Sequence, residues 1–211
     1  MYIYPVKSLD PRVNRLPQVG LEGQPQPKAP LDQFGTFEVF VQPSDKKPFQ
    51  HEGIVHAPDR ELAFVLAKEA FTRRFQCVAL AVADTRHVFV SAMTEGTTSV
   101  YDILQQAGDP AGAYQSYEIF HLFRRGKQHV HAGSVMARTP LEAMNEAKKQ
   151  FAPTQVVYNV WAIRTTDMRF TQPDEKELWL TLPDKKFRDA SDYKAGDKLK
   201  EFLDRFQPEK Q

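Results

Sequence analysis

The sequence contains a repeat at a fixed offset of 80 residues and without a gap: the first copy begins at residue 37 and the second at residue 117. Between residues 37–91 and 117–171, twelve of 55 aligned positions are identical, and many others exchange one residue for a chemically similar one. Such self-similarity at a fixed period is the signature of a repeated structural unit. The chain therefore consists of two copies of one small module, and its function must be one that a pair of such modules can perform.

The size and composition of the chain limit its architecture and its class of partner. A module of about 55 residues buries too little surface to be more than marginally stable alone. We therefore expect the two modules to pack together as a pseudo-two-fold dimer. The net charge of +1 gives no reason to expect nucleic acid or membrane as a partner. A single cysteine, the absence of a long apolar run and an N-terminus without signal-peptide character predict a cytoplasmic protein.

Composition and pattern predict five segments. They are a proline-rich extended arm (1–35), a first module (36–92), a linker with a short helix over Ser99–Ala107 (93–115), a second module (116–172) and a charged tail with an amphipathic helix near Ala195–Phe206 (173–211). Proline lacks a backbone donor and restricts its neighbours. We therefore expect the arm to be either disordered or laid along a partner.

Each module shows the pattern strand, strand, helix, strand. In the first copy, Thr36–Val41 and His51–Ala57 are rich in aromatic and β-branched residues and flank a turn, which is typical of a hairpin. A helix follows in which Ala63 and Ala67 form part of one apolar stripe, so that it can lie close on a sheet. The next apolar run, Cys77–Ala83, predicts a central strand covered on both faces. The fold class is α+β, with mostly antiparallel ββαβ modules and room for a short additional strand in each.

The candidate functional residues are those that both copies retain. The candidates among the twelve identical pairs are Glu38/Glu118, His51/His131 and Gly53/Gly133. A glutamate within an aromatic strand needs a hydrogen-bond donor, which the histidine of the hairpin is expected to supply. A glycine inside a strand indicates a bulge or the close approach of another backbone. Arg73 and Arg74, by contrast, are replaced by Pro153 and Thr154 in the second copy, which favours a role at a partner interface.

Two patterns could indicate a metal site, but a structural role explains both better. Glu118 and His121 have the spacing used on helices of di-iron bundles, yet they lie in a predicted strand, where odd spacings point to opposite faces. His129 and His131 share a strand face, but the first copy has lost one of the two. We therefore expect no metal, no cofactor and no catalytic residue, and we interpret Cys77 as a small buried residue of the strand.

Several of these residues also resemble a known family. The resemblance runs through Glu38-Val-Phe-Val, His51-x-Gly-x-Val-His-Ala-Pro-Asp59, Glu61-x-Ala-x-x-x-Ala67 and Phe71-Thr-Arg-Arg74. Together they are similar to PaaB, the small B subunit of the multicomponent phenylacetyl-CoA epoxidase. The second copy, with His131-x-Gly-Ser-Val135, is similar but lacks the Phe-Thr-Arg-Arg sequence. Ordinary members have one module, so the tandem is a departure from the family pattern.

The resemblance implies a role and no chemistry of the chain's own. In that family the di-iron site lies on the A subunit, the C subunit is structural, a reductase supplies electrons, and a dimer of the non-catalytic B subunit bridges A–C pairs. The chain would then bridge PaaA-like and PaaC-like subunits of an oxygenase that acts on an aromatic acyl-CoA in phenylacetate catabolism, with further homo-oligomerisation left open. The alternatives are a stand-alone module that binds a small aromatic or acyl-CoA ligand between its halves, and a small enzyme that uses His51 or His131.

Overall fold

The computed structural model describes residues 26–27, 35–72, 77–151, 153–179 and 195–206. Its strands are β1 (Gln26–Pro27), β2 (Thr36–Gln42), β3 (Gln50–His56), β4 (Ala79–Asp84), β5 (Val88–Val90), β6 (Gln115–Leu122), β7 (Val130–Ala137), β8 (Asn159–Arg164) and β9 (Met168–Phe170). Its α-helices are α1 (Arg60–Phe71), α2 (Val100–Ile103), α3 (Pro140–Phe151) and α4 (Ala195–Phe206). Short 3₁₀ helices cover Thr85–His87, Thr165–Asp167 and Pro173–Trp179. In these ranges, no helix has the length and apolar character needed to cross a membrane.

The described strands form one sheet in the order β1-β5-β8-β6-β7-β3-β2-β4-β9. Every pairing between neighbouring strands is antiparallel. The helices α1 and α3 each follow a hairpin, β2–β3 in the first module and β6–β7 in the second. The predicted α+β class with two repeated modules is therefore confirmed.

The two modules meet edge to edge at β3 and β7, where Gln50 pairs with Val130. The His51 N–H donates to the carbonyl oxygen of His129 at 2.9 Å, and the His131 N–H donates to that of Phe49 at 2.8 Å. When each residue is exchanged for its counterpart in the other copy, one bond becomes the other, as in an isologous dimer interface. A pseudo-two-fold axis passes between the two strands, which confirms the predicted packing as a dimer within one chain.

The last short strand of each module pairs with the other module. Strand β5 of the first module pairs with β8 of the second, and β9 of the second pairs with β4 of the first. Matching hydroxyls extend both pairings, because Ser91 Oγ accepts from the Val160 N–H at 2.8 Å and Thr171 Oγ1 accepts from the Leu80 N–H at 2.9 Å. This exchange of strands, which the sequence pattern did not predict, makes each module complete only in the presence of the other.

The strand exchange also forces the sheet to curl. Six interstrand spacings separate β4 from β5 in the strand order, which in a flat sheet would be about 29 Å. Only Thr85–His87 connects the two strands, and such a connection spans at most about 15 Å. The ends of the sheet must therefore approach each other, as in a barrel.

The core is divided into an inner cluster and two outer clusters. The inner cluster contains residues of both modules: Phe40, Ala81, Ala83, Val88, Val90, Phe120, Trp161, Ile163 and Met168. The outer clusters lie between the sheet and helix α1 and between the sheet and helix α3. Strand β4 contributes Leu80 and Val82 to an outer cluster and Ala81 and Ala83 to the inner one, so it is covered on both faces, as predicted.

Two local predictions need correction. Cys77 is buried, as expected, but it lies just before β4 and not within the strand. Burial raises the pKa of its thiol to about 12, so the thiol is unreactive near neutral pH. Helix α2 was expected to continue toward Ala107 but ends at Ile103. It ends there because Leu104 adopts an extended backbone and buries its side chain in the outer cluster beside α3.

Candidate functional site at the module interface

The inner face of the curled sheet carries a glutamate–histidine pair in each module. His51 Nε2 donates to Glu38 Oε2 at 2.7 Å, and His131 Nε2 donates to Glu118 Oε2 at the same distance. Both glutamates are buried. The prediction that each histidine supplies the donor for the glutamate of its own hairpin is therefore confirmed.

A β-bulge directs each histidine toward its glutamate. Val39 pairs with Gly53, but the next residue, Phe40, pairs with His51, so Glu52 is an extra residue in β3. Because successive residues of a strand alternate between faces, the extra residue turns His51 from the helix side to the inner side. The register of β6 and β7 shifts at the matching place, so the second module positions its histidine in the same way.

The retained glycines follow this bulge and allow the helix to approach. Gly53 and Gly133 have φ angles of 153° and 145°, in a region that residues with side chains rarely adopt. A Cβ on Gly53 would lie 3.0 Å from the Phe71 ring, and one on Gly133 would lie 2.7 Å from the Phe151 ring. A bulge is therefore present beside each glycine, as expected, but the group that approaches is the aromatic side chain at the end of α1 or α3 and not another backbone.

Each glutamate has a further partner that the sequence interpretation missed. Thr85 Oγ1 donates to Glu38 Oε1 at 3.0 Å, and Thr165 Oγ1 donates to Glu118 Oε1 at 2.8 Å. Both threonines lie in the 3₁₀ turns that precede the exchanged strands. Thr85 and Thr165 are one of the twelve identical pairs of the repeat, so the sequence did contain a signal that could have identified them. Through Thr85 and Thr165, each Glu–His centre is tied to the start of the strand exchange.

The charge of the second centre is stabilised by its hydrogen bonds. Burial alone would raise the pKa of the Glu118 carboxyl. Hydrogen bonds from His131, Ser134 and Thr165, with the charge of His131, outweigh burial and lower that pKa. Glu118 is thus a carboxylate whose two oxygens accept from three side chains. This arrangement fixes the geometry of the module, since a buried carboxylate is tolerated only while its donors stay in place.

The two halves of the interior have diverged on either side of the pseudo-two-fold axis. His129 stacks on Trp161 with ring centroids 3.9 Å apart and donates to Asn159 Oδ1 at 2.8 Å. The Asn159 amide in turn donates to the carbonyl oxygen of Ser91 at 2.8 Å. The matching positions of the first copy are Phe49, Ala79 and Ala81. At these three positions, therefore, the second half of the interior carries polar, hydrogen-bonding side chains, whereas the first half carries apolar ones.

The remaining sequence candidates do not form a metal centre in the described ranges. Glu118 faces the interior, whereas His121 faces the outer cluster and accepts from the Tyr101 hydroxyl at 2.6 Å, so the pair points to opposite faces as predicted. Burial, with the charge of His131, lowers the pKa of His121 to about 4. No described group of three or more His, Cys, Asp or Glu side chains is arranged to hold a metal ion. Arg73 and Arg74 lie outside the described residues, and their role stays a prediction.

Comparison with known proteins gives one family. The model of the PaaB family, phenylacetic acid degradation B, matches residues 33–106 and 113–200. No curated protein and no solved structure matches the chain. The two matched segments correspond to the two copies of the repeat, and each contains one Glu–His centre with its glycine. The chain therefore belongs to the PaaB family, of which it carries two modules in tandem.

Proposed function

We propose that this protein is a non-catalytic bridging subunit of a cytoplasmic, multicomponent di-iron oxygenase that acts on an aromatic acyl-CoA. Its membership of the PaaB family associates it with phenylacetic acid degradation. Its partners in this proposal are a PaaA-like catalytic subunit and a PaaC-like structural subunit, as in the phenylacetyl-CoA epoxidase. It requires no nucleic acid, membrane or cofactor of its own.

The observation that carries this proposal is the fusion of two PaaB modules about a pseudo-two-fold axis. The paired backbone bonds between β3 and β7 and the reciprocal exchange of β5 and β9 hold the modules in one fixed relation. Such a body presents two similar surfaces in opposite directions, which suits a protein that joins two partner assemblies. The Glu–His centres support this role by holding the geometry of each module.

The packing of the interior argues against the alternative of a ligand site between the modules. The Phe40 and Phe120 rings meet near the axis with centroids 4.3 Å apart, and Trp161 fills the space beside Phe40 and His51. All three aromatic side chains are fully buried. An aromatic or acyl-CoA ligand would have to displace this core, so the bridging function is favoured. The same burial keeps His51 from acting on a substrate.

Co-purification of the tagged chain from its host tests the proposal. The expected result is recovery of a di-iron oxygenase subunit and its structural companion, identified by mass spectrometry. Recovery of the chain alone, under conditions that preserve complexes of this type, would contradict the bridging role. A small-molecule ligand recovered in equal amount with the chain would instead favour the binding-module alternative.

A variant comparison tests the partner-facing arginines. We expect Arg73→Ala/Arg74→Ala to weaken assembly with the oxygenase subunits while the melting temperature stays unchanged, because an arginine fork suits carboxylates at an interface. Lys46→Ala/Lys47→Ala removes the same charge from the exposed turn between β2 and β3 and serves as the matched control. If the first variant assembles as tightly as the control, the arginines are not part of the contact.

A further inference from the structure

Helix α1 carries an apolar ridge on the side that faces away from the sheet. Leu62, Val65 and Leu66 are all exposed on this ridge, and Val65 has 54% of its surface accessible. The opposite side of the helix packs Ala63, Phe64 and Ala67 into the outer cluster. A helix with apolar residues on both sides is usually covered on both, so the ridge requires an explanation.

On helix α3, the side that corresponds to the ridge of α1 is covered by another part of the chain. Asn145, at the position that matches Val65, is only 5% exposed, and its amide donates to the carbonyl oxygen of Gln105 at 3.0 Å. Lys148 Nζ donates to the carbonyl oxygen of Tyr101 at 2.5 Å. Tyr101 and Leu104 are buried in the cluster beside α3. The segment that leaves exchanged strand β5 therefore lies over the helix of the other module.

The pseudo-two-fold axis relates this segment to the chain that leaves β9, which should accordingly lie over α1. The end of β9, from which this segment starts, does contact α1. The Arg169 guanidinium lies 4.2 Å from the centre of the Phe64 ring and forms an ion pair with Glu61 at 3.1 Å. The same guanidinium binds Glu175 in the 3₁₀ helix that follows β9. The C-terminal segment is thus anchored beside α1 before it continues.

The C-terminal helix α4 has an apolar face suited to the ridge. Leu199 and Leu203 share one side of the helix and are 59% and 48% exposed. The other side carries the charged residues Asp197, Lys200, Glu201, Asp204 and Arg205. Residues 180–194 join α4 to the 3₁₀ helix, and a chain of that length can span up to about 50 Å. Helix α1 is itself only about 18 Å long, so its whole ridge is within reach.

We propose that α4 docks its apolar face onto the ridge of α1 and so covers the first module as Ser99–Gln105 covers the second. The occupant of the ridge is the chain's own C-terminal helix, because the pseudo-symmetry and the Arg169 anchor direct this segment there. The assignment does not depend on the proposed function. A second copy of the chain and a partner subunit are the competing occupants, and the experiment must separate them.

Disulfide trapping in the full chain tests the docking. Val65→Cys is combined in turn with Leu199→Cys and Leu203→Cys on the apolar face, or with Lys200→Cys and Asp204→Cys on the charged face. The native Cys77 does not compete, because it is buried and its thiol pKa is about 12. All four pairs have nearly the same tether length, so only the orientation of α4 distinguishes them. A thermal melt of each reduced variant verifies that the fold is retained.

The expected result is an intramolecular disulfide that forms at least about tenfold faster with an apolar-face cysteine than with either charged-face cysteine. Equal rates of disulfide formation for both faces would show that α4 meets α1 in no preferred orientation, and this result would overturn the proposal. Covalent dimers as the main product would assign the ridge to a second copy. Absence of any disulfide would leave the ridge to a partner subunit, which also overturns the proposal.

Discussion

The buried histidine His121 should make the stability of the protein depend on pH. Its pKa falls from the ordinary 6.5 to about 4 because burial disfavours the imidazolium. As the native pKa lies below the unfolded one, the unfolded state binds the proton first as the pH falls. The stability from this group is complete above pH 6.5 and is lost progressively down to about pH 4. A difference of about 2.5 pKa units corresponds to a loss of about 3 kcal/mol in the free energy of unfolding.

Substitution of His121 by phenylalanine should remove this dependence. We expect His121→Phe to reduce the free energy of unfolding at pH 7 by about 1–3 kcal/mol, because the Tyr101 hydroxyl loses this acceptor. Between pH 6.5 and 4 the variant should then lose about 3 kcal/mol less than the wild type. Urea denaturation at a series of pH values measures both effects. Subtracting the variant from the wild type removes the contribution of other acidic groups, Glu118 among them.

Tyr101→Phe is the matched control, because it removes the hydrogen bond but leaves the buried imidazole. It should cost about 1 kcal/mol at pH 7 and keep the wild-type dependence on pH, since burial is the main cause of the lowered pKa. If His121→Phe and the wild type lose stability in parallel between pH 6.5 and 4, burial of His121 is not what shifts its titration, and the reasoning fails.

Three further predictions follow from the geometry. Gly133→Ala should destabilise the protein by about 2–4 kcal/mol, because a Cβ would strain the backbone and meet the Phe151 ring. The control is Gly108→Ala, since no described atom lies within 4 Å of its Cβ. In the same denaturation assay it should change the free energy of unfolding by no more than about 0.5 kcal/mol. Thr85→Val should cost about 1–3 kcal/mol by removing a donor to a buried carboxylate, and an unchanged melt would contradict the role of this hydroxyl. The isolated segment 33–106 should dimerise by exchanging β5, so a compact monomer in light scattering would count against reciprocal strand exchange.

The repeat made much of the fold predictable. A fixed offset requires equivalent elements in both copies, so the hairpins, the helices and the pairing of modules could all be expected from local pattern. The Glu–His pairs could be expected because a buried glutamate needs a donor and the retained histidine was within reach. These inferences depend on contacts close in sequence or on symmetry, which a single sequence can reveal.

The strand exchange could not be predicted in the same way. Strands β5 and β9 are three-residue segments, and a strand that short pairs equally well with its own module or with the other. The choice depends on how tightly the turn before it bends, which is a property of the assembled sheet. Thr85 and Thr165 were missed for the same reason, since a threonine in a turn has no evident partner until the turn is placed beside the glutamate.

The strand exchange also has a consequence for the synthesis of the protein on the ribosome. When Val88–Val90 emerges, its partner strand Asn159–Arg164 lies about 70 residues downstream. At elongation rates of about 5–20 residues per second this delay lasts roughly 4–14 s. During that time the inner faces of β2 and β4 lack the second module that will cover them, and Phe40 remains open to water or to chaperones. The first module of the nascent chain should therefore depend on chaperone protection until the second has been made.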